Sequence, residues 1–183
     1  MRISHSGAAA GVQKIHNSKS AVSTAIEWLE PRRLLSLPGV YQIQGEPITI
    51  GVPGLKDVTF TADNGVKTTI STIGLTAAID FSGPAVPSVY QGHAFFPNGI
   101  FETVNSIALT DAVPNRATLN IVSAYGTGHF NIGSITGGNL ASINAPDVNL
   151  TGSLDLLSDK KLVLASVSGA AINLGSVPTV VKI

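Results

Sequence analysis

The chain has 183 residues, no cysteine, a formal net charge of zero and only 12% charged residues. That length suits one domain plus a tail. The missing thiol excludes a disulfide scaffold, thiol catalysis and cysteine-based zinc sites. The sparse Lys and Arg argue against a nucleic-acid partner.

Residues 1–20 carry Arg2, Lys14 and Lys19 and no acid, and they read as a disordered lead. They lack the apolar stretch of a conventional signal peptide. No apolar run anywhere reaches the length of a membrane span. From Ser20 a helical stripe begins with Val22, Ile26 and Leu29, and Trp28 lies near its edge. Thr24 and Glu27 stand at capping-box spacing, and Pro31 ends or bends the helix. Residues 1–36 hold five basic and two acidic side chains, so the remainder of this neutral chain is net acidic.

The segment Leu29-Glu30-Pro31-Arg32-Arg33-Leu34-Leu35-Ser36 resembles the LEPR-XLL motif. That motif lies near the start of many large exported proteins of planctomycetes and some other bacteria. The resemblance covers these residues alone. It implies that residues 1–36 form an export or sorting segment, that the protein is extracellular or on the cell surface, and that repetitive β modules follow. Many such proteins are far longer, so this chain is expected to be a short member or a piece of one.

After Ser36 the composition turns to aliphatics, Thr, Ser, Asn and Gly, which favours strands. Residues 40–43, 48–50 and 58–61 read as short strands separated by Pro- and Gly-bearing turns. Asp63-Asn64-Gly65 predicts a hairpin with a type I′ turn, and residues 66–70 its return strand. Residues 82–98 read as a Pro-, Gly- and aromatic-rich loop containing Tyr90, His93, Phe95 and Phe96. Phe101, Val104, Ile107 and Leu109 mark a strand pair. Residues 119–122 and 129–132 predict a hairpin around Tyr125-Gly126-Thr127-Gly128.

From Asn131 one phrase recurs. Asn131-Ile132-Gly133-Ser134-Ile135 returns as Asn139-Leu140-Ala141-Ser142-Ile143 and as Asn173-Leu174-Gly175-Ser176-Val177. A stretched copy runs Asn149-Leu150-Thr151-Gly152-Ser153-Leu154, and a worn one runs Val163-Leu164-Ala165-Ser166-Val167. Val104-Asn105-Ser106-Ile107 is a partial echo. Two aliphatics with small residues between them suit a short strand and a corner. Repetition of this kind marks stacked units that bury their apolar faces on each other, and the Asn residues are expected to form ladders. The predicted fold is all-β: a parallel β-helix or β-solenoid-like half over 131–183, short β-hairpins over 37–130, and a mostly disordered or short helical tail over 1–36. An ordinary antiparallel sandwich is the competing fold.

Chemistry is sparse. His5, His16, His93 and His129 have no partner at metal-ligand spacing, so no metal and no cofactor is expected. Asp147, Asp155 and Asp159 fall on or between the repeats, where β-helix polysaccharide enzymes place their acids. Their irregular spacing favours turn and surface roles, and no catalytic residue is assigned. The aromatic residues at 90–101 suit either stacking on sugar rings or plugging an open end of the core. The sequence therefore predicts an exported structural or adhesive β protein, not an enzyme. A carbohydrate-binding or carbohydrate-cleaving β-helix is the alternative. A small-molecule barrel requires a closed antiparallel sheet with an empty lumen. The β-branched run at 177–183 predicts self-association or continuation of the chain through that edge, and polysaccharide is the other expected partner.

Overall fold

A computed structural model describes residues 40–43, 47–51, 55–124, 128–169, 171–175 and 179–183. The expected lead, the helix from Ser20 and the 29–36 motif lie outside the described residues, as do the turns at Pro38-Gly39, Pro53-Gly54 and Gly126-Thr127. Every regular element among the described residues is a strand. The strands are β1 (Val40–Gln42), β2 (Ile48–Ile50), β3 (Asp57–Ala62), β4 (Lys67–Ile73), β5 (Thr76–Ser82), β6 (Ser88–Tyr90), β7 (His93–Phe95), β8 (Phe101–Thr110), β9 (Thr118–Ser123), β10 (Phe130–Gly137), β11 (Ser142–Leu150), β12 (Leu154–Asp155), β13 (Lys161–Val167), β14 (Ile172–Asn173) and β15 (Val180–Lys182).

The early strands pair mainly with antiparallel neighbours. β3 and β4 form the hairpin expected at Asp63-Asn64-Gly65, but with a different turn. A type I′ turn requires positive φ at both central residues. Asn64 does not have it, and Gly65 (φ 82) stands just after the turn. The Gly65 N–H donates to the Ala62 carbonyl at 2.8 Å, and the Ala62 N–H to the Val66 carbonyl at 2.9 Å. This is a type I turn closed by a glycine bulge. Asn64 contributes through its side chain, accepting from the Val66 N–H at 3.0 Å and donating to the His129 carbonyl at 2.6 Å. A two-residue hairpin turn with positive φ at both residues is found instead at Gln91-Gly92 (φ 51 and 83). It joins β6 to β7 inside the segment expected to be a loop.

Residues 101–109 make one strand, not a pair. Burial alternates with period two, then slips: Glu102 and Val104 are buried, and next Ile107 and Leu109. The slip is a bulge, because Phe81 pairs with Val104 and Asp80 with Ser106, which leaves Asn105 unopposed.

Six strands close into a barrel in the order β3-β4-β9-β11-β10-β8, with β8 returning to β3. The barrel is mixed, and its interior is filled. Phe60 meets Phe81 and Phe130 edge to face with ring centroids 5.0 and 6.0 Å apart. Ile70, Leu119, Ile121 and Ile132 are buried beside them. The closed antiparallel sheet and empty lumen of a small-molecule barrel are not what these strands build.

Among themselves, β8 to β15 pair only in parallel. The hairpin expected between 119–122 and 129–132 therefore does not form. β9 lies between β4 and β11, whereas β10 pairs with β8, β11 and β12. The parallel pairings among the described strands from β8 onward fall on three faces. The first holds β9, the starts of β11 and β13, and β15. The second holds the start of β10 and the ends of β11 and β13. The third holds the ends of β8 and β10, then β12 and β14. Stacked neighbours are 18 residues apart at Asn131 and Asn149, and 19 apart at Asn139 and Ser158.

The recurring phrase maps onto this order. The copies at 131 and 149 stack directly: Asn131 on Asn149, Ile132 on Leu150, Ile135 on Leu154. The echo at 104–107 stacks on the other side, with Val104 beside Ile132 and Ile107 beside Ile135. The copy at 139 occupies the next corner, with Ile143 beside Leu119 and Leu162. The copy at 163 is out of step, because Ser166 and Val167 stack on Asn149 and Leu150. The phrase thus marks a strand and its corner, not a complete turn. A Cβ at Gly133 would lie 2.2 Å from the Asn105 carbonyl oxygen, and one at Gly152 would lie 2.1 Å from that of Gly133. Successive turns approach so closely at this corner that only glycine fits.

Inside, Ile143, Ile135 and Ile132 are fully buried on their aliphatic neighbours. Each such side chain contributes about 1.5–3 kcal/mol of burial free energy. Outside, a short polar ladder runs from Asn131 through Asn149 to Ser166. Asn149 Nδ2 donates to Asn131 Oδ1 at 3.4 Å, and Ser166 Oγ donates to Asn149 Oδ1 at 2.6 Å. The segments expected as separate regions, 37–130 and 131–183, share one sheet and one buried core.

Candidate functional site

Three groups of side chains carry the available chemistry. The first is the set of acids singled out in the repeats. Asp155 is exposed on the third face and accepts from Asn173 Nδ2 at 2.9 Å. Asp147 is half-buried at the corner between Ala145 and Val148, where β11 passes from the first face to the second. Asp159 is fully buried. Its Oδ1 accepts from the Lys161 N–H at 3.4 Å, and its Oδ2 has no hydrogen-bond partner among the described residues. Burial pushes its pKa from 3.8 to about 6, opposed by the Lys161 and Lys160 main-chain N–H groups. A carboxylate pair acting on a glycoside must face across the scissile bond at about 5–10 Å. Asp155 points outward and Asp159 inward, while Asp147 sits at another corner. The fold does not bring the three together.

The second group is His93 with Asp57. β7 and β3 are parallel neighbours and set these residues directly side by side. His93 Nδ1 lies 2.9 Å from both carboxylate oxygens of Asp57. The pair is 36 residues apart in sequence, beyond the reach of any spacing rule. Ser71 flanks Asp57 on β4. The order is His–Asp–Ser, so the imidazole is separated from the hydroxyl it would have to activate. His129 lies at the start of β10, exposed, with its carbonyl held by Asn64.

The third group lines a groove on the outer face of β3 and β4. β3 pairs first with β7 over 57–59 and then with β8 at Thr61 and Ala62. Between these two neighbours the chain peels away through Pro97-Asn98-Gly99-Ile100. The gap becomes a groove of about 430 Å³ lined by Thr59, Phe60, Thr61, Lys67, Thr69, Phe95, Phe96 and Asn98. Phe96 is buried and stacks on Phe81 at 4.8 Å, plugging the core. Phe95, next to it, faces outward and is 39% exposed. Of the two roles expected for the aromatic segment, Phe96 takes the one of plugging the core, while its neighbour Phe95 lines a surface groove. A shallower hollow continues past Lys67 and Thr69 to Val122, Ser123 and Ala124.

No family model matches the chain, and no curated protein or solved structure matches it. Among the described residues no helix is long and apolar enough to cross a membrane, and no three His, Asp or Glu side chains gather as a metal site. Leu29, Arg32, Leu34 and the rest of the 29–36 motif lie outside the described residues. The threonines and Lys67 of the groove were hidden in ordinary strand alternation. Only the aromatic segment signalled the place.

Proposed function

We propose that the chain is an exported cell-surface or extracellular structural or adhesive protein. Its body in this reading is a three-faced β-solenoid that starts at β8 and is covered at that end by the β3–β4 hairpin and by β5. The observation that carries the reading is the cyclic order of the parallel ladders, at 17 to 19 residues per turn from β10 onward, with aliphatics stacked inward and a short Asn–Asn–Ser ladder outward. Such a stack makes a stiff wall from little sequence information, which suits a structural module. Residues 29–36, through their likeness to the LEPR-XLL motif, supply the destination. β15 has no strand beyond it among the described residues and exposes Val180, Val181 and Ile183. This supports association through that edge, or a further turn. No residue is assigned a catalytic role.

The test is export. Replacing Arg32 and Leu34 together with alanine should keep the protein inside the producing cell while its circular dichroism stays native. Equal secretion of variant and wild type would remove the basis for the cellular location. A second reading, carbohydrate binding without cleavage, is favoured by the groove that Phe95 lines.

A further inference from the structure

We infer that the groove between β3, β4 and residues 95–98 is a binding site for an oligosaccharide bearing acidic groups. The inference deepens the carbohydrate-binding reading and does not depend on export. It begins with Phe95. Ala94 and Phe96 point into the core, so alternation forces the residue between them outward. A ring held at the surface beside a groove offers an apolar face with no role in the core.

Opposite it the floor is hydroxylic. Thr59 and Thr61 alternate along β3, and Thr69 stands across from Thr59 on β4. The Thr59 and Thr69 hydroxyls lie 2.9 Å apart. Each has one hydrogen and two lone pairs, so their mutual bond leaves one O–H and several acceptor sites free. Lys67 and the Asn98 amide add donors on either side. An apolar ligand filling this space would strip water from those groups without replacing their hydrogen bonds. A sugar ring has the matching pattern: C–H groups on its face for the Phe95 ring, and hydroxyls around its edge for the threonines and Asn98.

A peptide strand fits less well. Strand addition needs a free backbone edge, and the edge of β3 along the groove is taken. The Thr59 carbonyl accepts from the Phe96 N–H at 2.9 Å, and Thr61 pairs with Phe101. Charge then narrows the sugar. Among the described residues one cation, Lys67, lines the groove, and no carboxylate does. An anionic ring gains from that balance, whereas a neutral ring merely tolerates it.

The test uses the full chain with two probes of equal length, a hexameric oligogalacturonate and a neutral cello-oligosaccharide, titrated by calorimetry and followed by amide shifts. The oligogalacturonate should bind more tightly, moving the Thr59, Thr61 and Thr69 amides, and its affinity should fall with added salt. Phe95→Ala should weaken both probes at least tenfold, and Phe95→Tyr should restore binding. Lys67→Ala should weaken the acidic probe alone and abolish its salt dependence. Tyr90→Ala, exposed outside the groove, should bind as wild type. Binding of the neutral probe as tightly as the acidic one overturns the inference but leaves carbohydrate binding standing. No binding of either at millimolar concentration, or wild-type affinity in Phe95→Ala, overturns both.

Discussion

The strands before β8 and the strands from β8 onward reach the same end, a buried core, by opposite routes. The first group is built on local reversals. β3 finds β4 across the four residues 63–66, and β6 finds β7 across Gln91-Gly92. Its core is aromatic at the centre, where Phe60, Phe81 and Phe96 form a chain of ring contacts. The second group has no local partner. Paired positions lie 28 residues apart between β8 and β10, 24 between β9 and β11, and 17 to 19 in the later pairs, and its core is largely aliphatic. Local turns tolerate varied sequence, because a turn type fixes register by itself. Stacked turns must repeat their residues, because register comes only from matching faces. That is why the second group repeats a phrase and the first does not.

The two groups share the strand pairings β4–β9, β5–β8 and β3–β8, and inside the core their central joint is Phe60 against Phe130, with centroids 6.0 Å apart. Removing that joint gives the largest expected effect. Phe60→Ala should cost about 3–5 kcal/mol and should loosen amide protection in both groups together. Ile143→Ala removes a buried side chain that stands between Leu119 and Leu162 on the parallel strands, and it should cost about 2–5 kcal/mol. Protection loss should then centre on β9, β11 and β13. Chemical denaturation with residue-level hydrogen exchange separates the two outcomes. Equal, uniform loss in both variants would mean that the two groups are one cooperative unit.

Asp159 sharpens the contrast, since it is a carboxylate inside the aliphatic stack. Its folded pKa, about 6, exceeds the unfolded value of 3.8. The folded protein therefore holds this proton more tightly, and the contribution falls as pH rises from about 4 to 6 and stays low above that. At about 1.4 kcal/mol per pKa unit, the burden at pH 7 is on the order of 1–3 kcal/mol. Asp159→Asn should be more stable than wild type at pH 7 by that order, and the difference should shrink toward zero below pH 4. A variant equally stable at both pH values would show that the carboxyl is solvated.

The smallest effect belongs to the outer wall. Asp155 is exposed with one partner, Asn173. Asp155→Asn should change the melting free energy by about 0.5 kcal/mol or less.

Much of the β character was legible, because strand-forming composition and Pro-Gly punctuation are local. The stacking of the 131 and 149 copies was legible too, since both keep the Asn, the aliphatics and the corner glycine. The start of the parallel stack at β8 was not. Val104-Asn105-Ser106-Ile107 preserves only fragments of the phrase, and the longer first turn displaces it from the later period. The supposed hairpin at 119–132 failed because turn-forming residues read the same whether the chain reverses or rounds a corner. The groove and the His93–Asp57 pair arise where parallel strands distant in sequence meet, which no local pattern records.

The strands from β8 onward pair with one another in parallel, and from β10 onward their paired positions lie 17 to 19 residues apart. The chain lacks cysteine, so engineered pairs report cleanly. Parallel neighbours lie about 4.8 Å apart, within disulfide reach of about 4.4–6.8 Å between Cα atoms. The double variant Asn131→Cys with Asn149→Cys should close an intramolecular disulfide under mild oxidation, detected by mass after proteolysis. Asn131→Cys with Asn144→Cys, nearer in sequence but on a different face, should stay reduced. Closure of the second pair without the first would contradict the account.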